Sequence, residues 1–479
     1  MFFPHSPPHP DERSEEGSPE ILQPFGLQDE PSGRNFIKTP SRGEPIGRGL
    51  KDFVQERVAQ GRKVGVINLG CARNLVDSQT ILGNLKRQGH RITTDVAGAD
   101  MVVVNTCAFI EESKKESVDT ILDLIELKKQ GKLKKIVVAG CLAQRYSREL
   151  AEEFKEVDAI LGVQKLDREN IPAQVSLTPR HFAYLKICES CYNHCSFCII
   201  PSIKGKFVSR SIESVVREVK QLDERGVKEV NIIGQDITAY GMDIYREKAL
   251  ARLLKEIVAV TKNIRWVRLL YAFPAHVTDE LIDTIAREER ICKYIDIPLQ
   301  HISDNLLQSM NRSITARQSV DLIKKIRAKI PGAHIRTSFI VGLPGETEEN
   351  FQELMDFVRA MSFDRVGAFV YSREEGTPAY AMPGQVPDLV KRKRLNLLMA
   401  LQREISQTNQ KRKIGCKYDV LIDEAQEGEK GIYPGRTQYD AHEVDGVVYV
   451  HSTKELAPGD IVPVEITDSC EYDLVGNAL

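Results

Sequence analysis

The chain is 479 residues long and carries 66 Lys and Arg against 68 Asp and Glu, a net charge of −2 that gives no general signal for a polyanionic partner. Its 10 cysteines fall in one cluster and at isolated strand ends, which is not a disulfide framework and fits metal ligation in a reducing cytosol. No apolar run reaches the ~18–20 residues of a membrane helix, and the N-terminus has neither the basic leader nor the apolar core of a secretory signal.

Residues 1–60 read as a disordered extension. Pro4-His-Ser-Pro-Pro-His-Pro10 and Asp11-Glu-Arg-Ser-Glu-Glu16 offer little to bury, and the acidic residues argue against a mitochondrial transit peptide. A first module is expected over residues 62–175. Lys63–Gly70, Ala99–Thr106 and Lys135–Gly140 are short β-branched runs separated by charged helical stretches such as Glu111–Lys129, a pattern that predicts a parallel sheet covered by helices. Cys71, Cys107 and Cys141 each follow one of these strands. The carboxyl ends of parallel strands share one rim, so three thiols distant in sequence should converge there as a candidate iron–sulfur site with an open iron. Singly, each would read as a small buried hydrophobe.

Over residues 177–408 six strands are expected: Phe182–Ile187, Glu229–Gly234, Trp266–Tyr271, Tyr294–Leu299, His334–Val341 and Arg365–Tyr371. Helical patterns at Ile212–Glu224, Ala249–Val260, Ala316–Lys329 and Thr347–Met361 lie between them, predicting an open (βα)6 part-barrel with its chemistry on the loops after the strands. The loop after the first strand holds Cys191, Cys195 and Cys198 in CxxxCxxC spacing. Three thiolates on one loop can hold three irons of a 4Fe–4S cube and leave the fourth open, whereas structural zinc takes four closed ligands. Cys188, three residues before Cys191, keeps a four-thiolate knot as an alternative.

Residues 411–479 change character. Lys417–Asp423, Asp445–His451 and Asp460–Thr467 alternate apolar and polar residues between Gly and Pro turns, predicting a small antiparallel barrel, with a basic helix over Arg392–Ile414 leading into it. This module holds seven Lys and Arg against fourteen Asp and Glu. An acidic module argues against direct nucleic-acid binding and favours a basic protein partner. Asp440, Glu443 and Asp445 flank a predicted turn and are expected to be exposed there.

CxxxCxxC with Phe197 before its last cysteine, opening a six-strand βα module, resembles the radical S-adenosylmethionine (SAM) superfamily. The upstream cysteine triad and the terminal TRAM-like barrel extend the resemblance, over about residues 62–479, to methylthiotransferases. Lys186–Gly205, Val208-Ser-Arg-Ser211, Gly234-Gln-Asp-Ile-Thr-Ala-Tyr-Gly241, Asp296–Ser303, Phe339–Glu349 and Asn68-Leu-Gly-Cys-Ala-Arg-Asn74 are most similar to the branch that modifies an aspartate of protein twelve of the small ribosomal subunit. One departure is Cys188-Glu-Ser190, where that branch has Ser-Glu-Gly.

The resemblance implies a cytoplasmic transferase with two 4Fe–4S clusters. One, on Cys191, Cys195 and Cys198, would take SAM; the other, on Cys71, Cys107 and Cys141, would hold the sulfur. No catalytic residue beyond these ligands is assigned. Phe197 is placed to pack near the adenine, and Gln235 and Asp236 to meet the methionyl amine or ribose, or else to cap a loop. Arg268, flanked by apolar strand residues, should face the barrel lumen and pair with the SAM carboxylate or with Asp296. Gly342-Leu-Pro-Gly345 forms either a turn against the cofactor or only a helix entry. The implied partners are a basic ribosomal protein, an external electron donor and a sulfur donor, with no membrane. A transfer RNA adenosine methylthiotransferase and a non-catalytic cluster- or zinc-binding scaffold are the competing readings.

Overall fold

The computed structural model describes residues 61–172, 174–425 and 431–479, so the extension expected over residues 1–60 lies outside the described residues. Strands β1 (Lys63–Asn68), β2 (Arg91–Ile92), β3 (Met101–Thr106), β4 (Lys135–Gly140) and β5 (Ala159–Ile160) form a parallel sheet in the order β2-β1-β3-β4-β5. β3, Met-Val-Val-Val-Asn-Thr, is buried along its whole length, as a strand covered by helices on both faces must be. Asn68 pairs with Asn105 and Thr106 with Gly140, so the ends of β1, β3 and β4 are level. That register brings Cys71, Cys107 and Cys141 to one rim.

The middle module begins with β6 (Phe182–Lys186). A two-stranded hairpin, β7 (Cys188–Glu189) with β8 (Val208–Ser209), frames the cysteine loop. β9 (Glu229–Ile233), β10 (Trp266–Leu269), β11 (Ile291–Asp296), β12 (His334–Val341) and β13 (Arg365–Val370) follow, all parallel. Their spatial order matches chain order from β6 to β13, and the sheet stays open. β11 lies three residues earlier than expected, because Ile297 and Leu299 belong to the buried turn that follows it. Thr315 with Gln318 and Thr347 with Asn350 close capping boxes that start the helices Ala316–Lys329 and Glu348–Met361.

An open part-barrel has a lumen to fill. Phe182, Tyr184, Ile233, Trp266, Leu270, Cys292 and Tyr294 line it, and the neighbouring modules close it. Val76, with Ala72 and Leu75, enters from the first module's helix Ala72–Arg87; Leu421 and Ala441 come from the last module. At about 1.5–3 kcal/mol per fully buried large apolar side chain, this shared core holds the three modules together.

The last module closes as a barrel of β14 (Lys417–Ile422), β15 (Ile432–Thr437), β16 (Val448–His451), β17 (Ile461–Ser469) and β18 (Leu474–Ala478), in the order β14-β15-β16-β18-β17. β15 escapes the sequence pattern because Pro434-Gly435 reads as a turn. In the barrel Gly435 instead allows close approach, since a Cβ there would stand 2.6 Å from the Leu421 carbonyl oxygen. The expected antiparallel barrel needs one correction: β16 and β18 pair in parallel, because the β17–β18 hairpin inserts with β18 against β16. The connecting helix is Asp388–Lys411.

This barrel docks on the amino-end rim of the part-barrel. Asp423 meets His181, just before β6, at 2.9 Å; Arg436 meets Glu229, the first residue of β9, at 2.8 Å; Asp440 meets Arg365, the first residue of β13, at 2.8 Å. Tyr439 stacks on His334, the first residue of β12, at 4.2 Å. The cysteine loop lies at the opposite, carboxyl-end rim, following β6.

Candidate functional site

The first triad is assembled by backbone economy. Gly70 has φ +88°, and a Cβ there would stand 2.9 Å from Cys107 Cβ, so only glycine lets the Cys71 loop lie against Cys107. Asn74 Nδ2 donates to the Leu69 and Thr106 carbonyls at 2.9 and 3.1 Å, and Asn105 Nδ2 to the Asn74 carbonyl at 2.8 Å, tying the β1 and β3 loops together. Asn74 Oδ1 also lies 3.9 Å from Cys141 Sγ. Burial pushes the Cys141 thiol up to about 12, opposed by Lys204 and reinforced by Cys107 and Cys71. Burial likewise raises Cys107. Cys71 differs: against the pull of burial, the Arg73 guanidinium and the N–H groups of Asn74 and Arg73 hold it below its ordinary value. Its place at the N-cap of the helix Ala72–Arg87 favours the thiolate further.

The second triad stands on a clamped loop. Ser196 donates through N and Oγ to the Met310 and Ser309 carbonyls at 3.0 and 2.7 Å, and Asn311 Nδ2 donates to the His194 carbonyl at 2.8 Å. Asn193 Nδ2 lies 3.6 Å from Cys191 Sγ, and Arg312 Nη1 lies 3.6 Å from Cys195 Sγ. Burial raises Cys191 to about 11 and Cys198 to about 12, each further raised by its neighbours in the triad. Thiols gathered three to a rim, with N–H groups directed at Cys191 and Cys195, are a soft donor set that fits iron–sulfur ligation.

Among the described residues no three His, Cys, Asp or Glu side chains close on one point as the ligands of a single ion do. A cube asks each thiolate for a different iron and so holds its ligands farther apart. Cys188 turns the other way. It is fully buried among Leu185, Ile187 and Ile232, Sγ lies 3.6 Å from the Asp236 carbonyl oxygen, and a Cβ on Gly234 would stand 2.4 Å from that sulfur. Ser190 explains the departure beside it: φ is +66°, the conformation glycine favours, and its Oγ donates to the Gly205 carbonyl at 2.6 Å.

Between the triads lies a buried charge knot. Lys186 pairs with Asp77 and, at 2.6 Å, with Glu189; Lys204 pairs with the same two carboxylates at 3.1 and 3.4 Å. Burial opposes ionisation of Glu189, but the two ammonium groups hold it well below the usual carboxylate range. Asp77 belongs to the first module and its partners to the second, so the knot fixes one triad relative to the other. Arg73 adds a second tie: Nη1 donates to the Gly234 carbonyl at 3.0 Å, and the guanidinium lies 4.4 Å from the centroid of the Tyr271 ring.

The other expected site residues divide. Phe197 is half-buried against Met310, Leu343 and Tyr371. Gln235 Nε2 donates to Glu189 Oε1 at 2.8 Å, while its buried Oε1 has no protein partner, the acceptor an ammonium-bearing ligand would need. Asp236 is a cap: Oδ1 accepts from Thr238 and Ala239, and Oδ2 accepts from Asn193 at 2.7 Å and pairs with His276 at 2.8 Å. It reaches the cluster loop only through Asn193.

Arg268 faces the lumen as expected but is occupied at the far rim, by Glu229 at 2.7 Å and the Gln438 carbonyl at 2.7 Å. It docks the last module in place of the cofactor contact expected of it, and Asp296 pairs with Arg336 instead. Gly342 to Gly345 form a helix-entry turn, whose Gly342 N donates to Glu346 Oε2 at 2.8 Å. Asp440 and Asp445 are not an exposed docking patch; they lie in the interface with Arg365, Arg336 and Tyr294, leaving Glu443 exposed. Sequence reasoning missed Asn193, Arg312, Lys204 and Asp77. Only Asp77 left a signal, as an acid on the apolar face of an amphipathic helix.

Comparison with known proteins follows these modules. Residues 185–358 match the radical SAM superfamily, residues 63–162 the uncharacterized protein family UPF0004, and residues 414–479 the TRAM domain. The chain is 46% identical over 439 residues to the ribosomal protein uS12 methylthiotransferase RimO of Desulforamulus reducens, covering 86% of this chain and 98% of that one. Similar matches are RimO of Clostridioides difficile, 45% identical over 87% of this chain and 99% of that one, and RimO of Caldanaerobacter subterraneus subsp. tengcongensis, 47% identical over the same shares. Among solved structures, the radical S-adenosylmethionine methyltransferase TsrM from Kitasatospora setae aligns with a TM-score of 0.50 at 16% identity, over 67% of this chain and 74% of that one, a likeness of fold alone.

Proposed function

The chain belongs to the family of ribosomal protein uS12 methylthiotransferases, and we propose that it replaces a hydrogen on the β carbon of an aspartate in this basic small-subunit protein with a methylthio group. The observation that carries the reading is the convergence of two thiol triads on facing carboxyl rims, bound to each other through Asp77 and Arg73. Cys191, Cys195 and Cys198 would hold one 4Fe–4S cluster, and Cys71, Cys107 and Cys141 the other. Seated there, the two clusters and SAM supply the radical and sulfur chemistry that protein side chains lack.

The chain's own residues orient and exclude. Asn193 and Arg312 donate N–H groups to the Cys191 and Cys195 sulfurs, and Asp236 fixes Asn193. Gln235 Oε1, without a protein partner, would accept from the cofactor's ammonium, and the half-buried Phe197 would pack against its base. The Lys186, Lys204, Asp77 and Glu189 knot holds the triads at one separation. An external one-electron reductant and a sulfur source complete the system. Cytoplasmic placement follows from the acceptor, and among the described residues no helix is long and apolar enough to cross a membrane.

Anaerobic reconstitution with iron, sulfide, SAM and a reductant, followed by mass spectrometry, tests the reading. The ribosomal protein should gain one CH₃S group in place of one hydrogen. Modification of transfer RNA with the protein left unmodified would overturn it.

A further inference from the structure

An acceptor carbon that must be reached from both triads has to lie where their rims meet, and Arg73 stands at that junction. It follows Cys71 by two residues, is half-buried, and crosses to the part-barrel to donate to the Gly234 carbonyl at 3.0 Å in the loop after β9. Its guanidinium stacks at 4.4 Å on Tyr271, which follows β10 and is held at φ +69° with its N–H donating to Asp296 Oδ2 at 2.8 Å.

The other cations near the triads are taken. Lys186 and Lys204 pair with Asp77 and Glu189, Arg145 pairs with Glu374 at 2.8 Å, and Arg312 is anchored to the Pro298 carbonyl at 2.6 Å and to Cys195. Arg73, among the described residues, has no carboxylate within ion-pair distance. Cys71 and, farther off, Glu189 favour its charge without forming an ion pair with it. A half-buried cation with no carboxylate in contact gains by receiving one from a ligand. Stacking occupies a face of the guanidinium, and with Nη1 donating to Gly234 the remaining in-plane N–H donors are left for a carboxylate.

We propose that Arg73 is the specificity-determining residue that receives the side-chain carboxylate of the acceptor and so aims the adjacent β carbon between the two triads. This rests on the reading that the acceptor is an aspartate. The carboxylate lies one bond from the reacting carbon, so holding it restricts that carbon to a small arc; an adenine base offers no such group.

The test is a double-substitution cycle on the cluster-loaded, SAM-bound enzyme. Dissociation constants are measured anaerobically for the ribosomal protein with its target aspartate and for the same protein with asparagine there. The parent should bind the aspartate form about tenfold more tightly or better, a difference of about 1.4 kcal/mol. In Arg73→Gln the ratio should collapse to near one, and in Arg73→Lys it should fall between. A variant that merely disturbs the module junction would weaken both acceptors and leave their ratio intact, which overturns the proposal. If Arg73→Gln loses its clusters, the Arg73→Lys ratio decides, and an unchanged ratio there again overturns it. A parent that methylthiolates no protein refutes the proposed function itself; a parent that does so with the ratio unmoved by either variant refutes only the role of Arg73.

Discussion

The two rims of the part-barrel are built from the same residue types and do opposite things. At the amino-end rim the charges pair across the module boundary, although Arg365 Nε, His334 Nδ1 and His442 Nδ1 lack hydrogen-bond partners: Glu229 takes both Arg268 and Arg436, Asp423 takes Arg436 and His181, and Asp440 takes Arg365. At the carboxyl-end rim satisfaction is incomplete. Ser190, Tyr271 and Gln300 sit at φ +66°, +69° and +73°, Gln235 Oε1 has no protein partner, and Arg73 has no carboxylate. Ion pairs across the module boundary mark docking, whereas an arginine without a carboxylate and an open acceptor beside the cysteine loop mark the place where a ligand completes the protein.

The largest effect expected from breaking that contrast is on the thiols. Replacing Cys191, Cys195 and Cys198 by Ala should remove about four of about eight irons and abolish 5′-deoxyadenosine formation. Replacing Cys71, Cys107 and Cys141 should remove the other half, keeping SAM cleavage and losing transfer. Full iron content in either triple variant would sink the two-cluster reading. Cys188→Ala should keep all the iron, and losing half of it would make Cys188 a ligand after all.

Next is the closed rim. Glu229→Gln leaves two buried guanidinium groups facing a neutral amide and should cost about 3–5 kcal/mol of stability in chemical denaturation. Cluster content should not change, because the triads lie on the other rim. Iron lost from Glu229→Gln without loss of stability would erase the distinction between the rims. Reversing Asp440 and Asp445, which pair with Arg365 and Arg336 in the interface, should destabilise the docked barrel rather than tune acceptor binding.

A smaller effect is expected with pH. Burial, aided by Lys413, pushes His334 down to about 4, and burial with Arg436 pushes His442 to about 4. Both lie between the last module and the part-barrel, against Tyr439 and Phe182. The unfolded chain takes up these protons near pH 6.5 and the folded one only near 4. Their contribution is therefore complete above about pH 6.5, falls as pH drops towards 4 and then levels off, each unit of depression being worth about 1.4 kcal/mol. Thermal melts of the parent against His334→Phe with His442→Phe should differ in slope over that window; identical slopes would exclude these histidines.

The smallest effect is expected at Ser190→Gly. Relief of about 1 kcal/mol of left-handed backbone strain opposes loss of a hydrogen bond worth about 1 kcal/mol, so stability should move by less than about 1 kcal/mol. A loss above about 2 kcal/mol would show that the bond to Gly205, rather than the backbone, shapes the loop.

What the sequence determined by itself was whatever short-range pattern encodes. Lys135–Gly140 and His334–Val341 are strands over the ranges expected of them, since β-branched runs between turns specify extended chain locally. Cys71, Cys107 and Cys141 share a rim because each stands within three residues of the end of a strand of one parallel sheet. β15 and β18 were hidden because Pro434, Gly435 and Gly476 weaken the local signal, and barrel closure supplies the missing preference. Partner choice belonged to the tertiary structure alone. Arg268 alternates into the lumen as its strand dictates, but its partners, Glu229 39 residues away and the Gln438 carbonyl 170 residues away, are supplied by the tertiary fold. Arg312 reaches Cys195 across 117 residues, and Asp440 changes from surface acid to buried counter-ion only when Arg365 arrives. Periodicity tells a side chain which way to face; the long-range fold decides what stands there to meet it.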